Sequence, residues 1–328
     1  MAPPRYRIAN IVNKNSLTDD ENKRITQYAQ GWAEALDTSD TSELHSARQR
    51  LISPLEPSAE MSPYVRSVYC AGVIDGIEPL LDPKNTNEMG LVNALQVLSV
   101  IGNEQTSRLL LNSADSTKEM RGSARLWASI GLGKSFTVGV LPLRKVERDA
   151  NRLANYISIE PEWFVIAEQL SSLTSLQKIP NLNTNEQEKF DEMSLELQSS
   201  AIDSLVKKIG KSGSADERML AISMALPSIR IQLIDPNIYV LARDSAQKAL
   251  LQTLSDLVLV SIRHAATAKE NDMLFSAYGQ AINTAGLMVD RELDLADDSR
   301  VSLLELWNNE NTVAISDRVA QWNKLSKK

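Results

Sequence analysis

Apolar residues return every third or fourth position along almost the whole chain, and no stretch alternates long enough to make a convincing strand. That period gathers them on one face of an α-helix. Only 13 glycines and 12 prolines punctuate 328 residues, so turns are sparse and the elements between them long. FTVGVL, 136–141, is the nearest thing to a strand and stands alone.

Local signals set the expected boundaries. Thr18-Asp19-Asp20-Glu21 is a capping box, with a threonine oxygen for the first free amides and a glutamate three residues on to answer it. It opens a helix reaching Leu36. Further helices are expected over 42–52, from Pro63 to Leu81, and over 88–101, 104–113, 117–131 and 143–157, with another starting near Pro161. The polar stretch Ser171–Asn185, which contains Pro180 and lacks a clear period, reads as a linker. Beyond it, Thr184 caps a long helix stopped by Gly210, and Ser214-Ala-Asp-Glu217 reads as a second capping box. Asp235-Pro236 starts a helix to Ala268, and two or three more follow, the last over 311–326.

Three segments share a pattern: EMSPYVRSVYCAGVIDG from Glu60, NEMGLVNALQVLSVIG from Asn87 and DSTKEMRGSARLWASIG from Asp115. Their starts are 27 and then 28 residues apart. Six residues after each start comes Arg66, Asn93 or Arg121, preceded by Val65, Val92 or Met120, and each helix is read as ending at Gly76, Gly102 or Gly131. A fixed period of this size marks stacked helical pairs, because one pair cannot bury its own apolar stripe and neighbours must cover it. The pattern resembles the short HEAT repeat, over 60–132 and more weakly around Asn237 and Arg243. That resemblance implies an all-α fold, an α-α superhelix of HEAT-like helical pairs. It also implies a hydrogen-bonded ladder between units, with Asp115 and Arg121 the best match and Glu60 and Arg66 the next. The expected organisation is an N-terminal arm, 1–17, a repeat region, 18–172, and a helical region, 184–328, that either continues the first or stands apart.

The residues ASIGLGKS, 128–135, satisfy the loose spelling of a phosphate-binding loop. Such a loop needs a buried strand leading into a helix N-terminus. Here an amphipathic helix precedes the glycines and Pro142 follows closely, so Gly131 and Gly133 read as a helix C-cap and its turn.

Other chemistry is sparse. His45 and His264 are far apart in sequence, the single cysteine, Cys70, reads as a small buried apolar residue, and no metal-binding spacing occurs. Carboxylates such as Asp19, Asp20, Asp297 and Asp298 sit where capping and solvation explain them, and the five tryptophans lie at helical spacing from apolar residues. Neither catalytic residues nor a cofactor or metal is expected. The formal charge of −7 argues against a nucleic-acid partner or an anionic membrane surface. The best apolar stretch, Leu250–Ile262, is too short to span a bilayer and carries Asp256. With no signal-peptide core at the start, the chain reads as soluble and cytoplasmic, although an exported chain trimmed of its signal would look the same.

Within this acidic chain, residues 118–152 carry eight basic side chains against three acidic ones. Arg144, Arg148 and Arg152 recur every four residues beside the apolar seam of one helix. With Arg125, they are the expected docking site for an acidic protein partner. The function that follows is a non-catalytic protein-interaction scaffold, and the HEAT resemblance implies the same, since solenoids of that kind bind more often than they catalyse. Two alternatives stand beside it: an enzyme on a HEAT-like frame, similar to the alkylpurine DNA glycosylases, and a regulatory subunit of a larger complex.

Overall fold

The computed structural model describes Ile8 and residues 11–56, 59–295 and 301–326. Asp297 and Asp298 lie outside the described residues, as does most of the arm before residue 11. Among the described residues there are fourteen α-helices and no strand. The chain divides into two compact units, residues 1–149 and 150–328.

In the first unit, α1 (Asp19–Glu34) starts at Thr18, whose capping box with Glu21 is formed as expected. The described part of the N-terminal arm is held down. Ser62, the cap of α3 (Pro63–Ile77), donates its amide to the Val12 carbonyl at 2.9 Å and its hydroxyl to that of Lys14. A 3-10 turn, Glu78–Leu81, takes up the rest of the helix expected to reach Leu81. Helices α1 and α3 run parallel and nearly touch, Gly72 lying against Ala29 and Gly76 against Ala33. Gly76 is therefore buried inside α3, where it lets the two backbones approach, and is not the terminator the repeat pattern assigns.

Helices α2 (Thr41–Ile52) and α4 (Glu88–Ile101) pack next, linked by an Arg48 guanidinium donating to Asn93 Oδ1 at 3.0 Å. Helix α4 ends at Gly102, in the left-handed region at φ 64°, the one terminating glycine of the three expected. Helix α5 (Glu104–Ser113) turns back and packs between α4 and α6 (Gly122–Thr137). Helices α4 and α6 are again parallel, Glu88 facing Ser123 at one end and Ser99 facing Gly131 further along.

Helix α6 corrects two expectations. It begins at Gly122, not near residue 117, because Asp115 and Glu119 stabilise a turn there instead. Asp115 Oδ1 accepts from the Thr117 amide and hydroxyl, and Glu119 Oε1 accepts the Arg121 amide. It then runs through Gly131 and Gly133 to Thr137, so neither glycine is a cap and FTVGVL contributes its first two residues to a helix.

In the second unit, α8 (Trp163–Thr174) passes through a 3-10 turn, Ser175–Lys178, into α9 (Thr184–Ile209). The stretch expected to be a linker is thus a packed corner, with Leu173, Leu176 and Ile179 buried and the sharp turn made at Asn181, φ 61°. The division between units falls instead inside α7 (Leu143–Ile157). Asn183 rather than Thr184 caps α9, in a capping box with Glu186. Helix α10 (Arg218–Ile234) has no side-chain cap: Ser214 stays in the preceding turn, and Asp216 binds Arg218. Asp235 holds a turn at Asn237, which delays the next helix, α11, to Val240–Ala268.

Helices α9 and α11 run parallel at a nearly constant offset. Asp191 accepts the Tyr239 amide at 3.0 Å, Asp203 accepts the Thr253 hydroxyl at 3.2 Å, and Gly210 meets Val260. Helix α10 runs back between them, with a buried Gln198–Gln232 amide pair marking its contact with α9. Helix α12 (Asp272–Glu292) lies parallel to α10, from Leu220 against Leu274 and Ala277 onward. Two further helices follow, α13 (Leu303–Asn308), which packs on α12, and α14 (Thr312–Leu325), which packs on α11 and α13. Trp307 stacks on Phe275 and Tyr278, with its indole N–H on the Phe275 carbonyl at 3.0 Å, and Trp322 donates to the buried Asp290 at 2.8 Å.

Candidate functional site

The basic stretch 118–152 is largely consumed inside the first unit. Arg125, expected on the docking surface, is 3 % exposed and donates to the Glu119 and Met120 carbonyls at 3.0 and 2.9 Å. It organises the turn before α6 and offers nothing to a partner. Lys145 is buried against Asp149 and Ser107, an internal cluster on α5 and α7. Lys118 pairs with Asp115 at 3.3 Å. Of the expected stripe, Arg144 and Arg148 are exposed on α7, whereas Arg152 is half-buried and donates to the Tyr156 hydroxyl at 3.0 Å.

The repeat ladder is not built as expected. Arg121 forms a fork on Glu119 and donates to the Asn85 carbonyl at 2.7 Å, so it does tie α6 to the segment before α4, but through Glu119 and not Asp115. Burial alone would raise the Glu119 pKa; the Arg121 hydrogen bonds and charge outweigh it and hold the carboxyl below its ordinary range. Burial likewise opposes ionisation of Asp115, and the Thr117 and Lys118 contacts overcome it. Arg66 donates to the Leu55 carbonyl at 3.3 Å, and Glu60 sits in a turn at φ 49°. The phosphate-loop spelling lies within α6, where Ser135 donates to the Gly131 carbonyl. Amides engaged inside a helix cannot cradle a phosphate.

The two histidines serve separate units. His264 is buried, with Nε2 at 3.1 Å from the Ser212 carbonyl and Nδ1 at 3.1 Å from the Tyr278 hydroxyl. The carbonyl can only accept, so Nε2 donates to it. Burial pushes the Tyr278 phenol up to about 12. This is a structural network tying the α10 entry turn to α11 and α12, since Tyr278 also accepts the Asp216 amide. His45 lies with Arg48, Met89 and Asn93 in a shallow depression of about 480 Å³ between α2 and α4. Glu88 and Ser123 line it too, and the Ser123 hydroxyl donates to the Glu88 carboxylate, while His45 reaches only Arg48.

The feature with the most to offer a ligand is a groove of about 620 Å³ in the second unit, between the parallel helices α9 and α11. One wall carries Glu192, Glu196, Ser200, Asp203 and Lys207, at helical spacing over about 22 Å of axis. The other carries Ala242, Ser245, Ala246 and Ala249, with Gln252, Thr253 and Asp256 beyond them. Four carboxylates therefore face one lysine, and that lysine already pairs with Asp203 at 2.6 Å. Glu192 and Glu196 are exposed and form no ion pair among the described residues. Ser199, also lining the groove, is 6 % exposed and its hydroxyl has no hydrogen-bond partner. A buried hydroxyl left in that state costs about 1–3 kcal/mol. Among the described residues no three His, Cys, Asp or Glu side chains converge as metal ligands, so these carboxylates line a trough and do not form a cage. Sequence reading passed over this site because α9 by itself looks like a solvated acidic helix. The wall of alanines that completes it lies about fifty residues further on.

No protein-family model matches the chain, and no curated protein is detectably similar to it. What the structure defines is an all-α protein whose described helices include none long and apolar enough to cross a membrane.

Proposed function

We propose that the chain is a non-catalytic interaction scaffold, built from HEAT-like helical pairs, that binds a protein partner in the cytoplasm. The parallel stacking of next-but-one helices, α1 with α3, α4 with α6, α9 with α11 and α10 with α12, supports it. In repeat architectures such stacking leaves open troughs between like helices, and partners use them. The observation that carries the reading is the α9–α11 trough: large and open, with Glu192 and Glu196 exposed on one wall and Asp203 shared with Lys207. Arg144 and Arg148 remain as the exposed pair of the basic stripe available to an acidic partner.

Affinity purification of the full chain from native extract, followed by cross-linking mass spectrometry, tests the proposal. The expected result is a stoichiometric protein partner whose cross-links cluster on one face. Recovery of the chain alone at physiological salt would overturn the reading.

A further inference from the structure

We infer that the α9–α11 groove docks a lysine- or arginine-rich helical segment of the partner protein; this rests on the scaffold reading above and deepens it. The charge is complementary. Glu192 and Glu196 stand one turn apart, about 6 Å along the axis, and Asp203 lies about 10 Å further on. A helix with basic residues at positions i, i+4 and i+11 presents cations at the same intervals on one face. The opposite wall explains why the occupant is helical. Ala242 and Ala246 are buried at the groove floor, and the exposed Ser245 and Ala249 offer little bulk, so a third helix can lay a ridge over them and approach closely. Both walls are helices whose backbone groups are bonded internally, leaving none to pair with an extended strand. A helix brings its own backbone already satisfied.

Ser199 is the independent sign of a missing occupant. Its hydroxyl is buried at the groove and unpartnered, so its hydrogen-bonding capacity is left over for an occupant that settles there. The carboxylates do not converge on a point, as a metal ion would require, but follow the groove as an elongated polycation would.

The test uses the full chain and a labelled synthetic helix about five turns long, with lysines at i, i+4 and i+11 on an alanine face, followed by fluorescence anisotropy. Binding is expected to weaken as salt is raised roughly threefold. The double change Glu192→Gln and Glu196→Gln should weaken it about tenfold or more and flatten the salt response. Ala249→Leu fills the exposed wall, keeps every charge and should also weaken binding. Ser199→Ala should weaken the peptide while leaving the free chain as stable or more so. Arg144→Glu should change nothing. Binding that ignores both Glu192→Gln/Glu196→Gln and Ala249→Leu would overturn the inference. So would equal binding of a proline-broken peptide or of a linear tetraamine, which would assign the groove to a non-helical cation. A photo-cross-linker at position 200 separates this from the scaffold reading. A native partner captured elsewhere but never from position 200 sinks the groove alone, and no partner at all sinks both.

Discussion

Arg121 grips Glu119 two residues back with a two-point fork, Nε on Oε1 at 2.8 Å and Nη2 on Oε2 at 2.6 Å. Its remaining donor reaches the Asn85 carbonyl, so one side chain closes the turn before α6 and fastens it to the entry of α4. Arg121→Ala should destabilise the first unit by about 2–3 kcal/mol, the range for hydrogen bonds to charged groups in a mostly buried setting. Arg144→Ala, on the exposed face of α7, should stay within about 0.5 kcal/mol. Urea melts of the two variants make the comparison. Equal small losses would mean the fork does not form in solution.

The same fork has an acid signature. Glu119 has a folded pKa below its ordinary 4.5, and Asp115 one below 3.8. A depressed carboxyl stabilises the fold fully above its ordinary value, and that contribution is lost as pH falls through the folded value. Stability of the wild type should therefore begin to drop as pH falls below the ordinary carboxyl values of 4.5 and 3.8, and Arg121→Ala should show a shallower drop. An unchanged slope in the variant would assign the acid sensitivity to other carboxylates.

Gly76→Ala tests the parallel contact of α1 with α3. A Cβ there would stand 2.6 Å from the Ala33 methyl and 3.0 Å from the Gln30 carbonyl oxygen. Alanine favours a helix by about 1 kcal/mol, but overpacking costs about 1–3 kcal/mol, and here the obstacle includes backbone. A net loss of stability is expected. Gly213→Ala, where a Cβ meets nothing within 4 Å, should be neutral or mildly stabilising. Thermal melts that rank the two in the opposite order would place α1 and α3 further apart.

Cys70 reports on the same core. It is 4 % exposed, and burial pushes its thiol up to about 11. Thiolate is the reactive form, so alkylation near neutral pH should be negligible in the folded chain and appear only along the urea transition. Rapid labelling without denaturant would show that α3 opens locally.

The Lys145–Asp149–Ser107 cluster should behave as a buried ion pair. Asp149→Ala leaves the Lys145 ammonium buried and unpaired, a loss of about 3–5 kcal/mol. Replacing both charges, Lys145→Met with Asp149→Leu, should recover most of it. A double variant as unstable as the single one would locate the damage in packing.

The sequence alone determined the helical class and those boundaries that depend on neighbours in the chain. Thr18 with Glu21 starts α1, Ser62 and Pro63 start α3, and Gly102 ends α4, because each rests on hydrogen bonds or a left-handed turn within a few residues. Tertiary structure decided what those rules cannot see. Gly76 and Gly131 look like terminators and are points of close helix contact, since only a neighbouring helix reveals why the side chain must be absent. Arg125 and Lys145 look like a surface stripe and are buried, because the carbonyls and carboxylate that receive them are arranged by the packed turn and by α5. The groove is the clearest case. Glu192 and Glu196 read as a solvated face until α11 lies parallel to α9 and brings Ala242, Ala246 and Ala249 alongside. A site shared by two helices fifty residues apart exists only once both have packed.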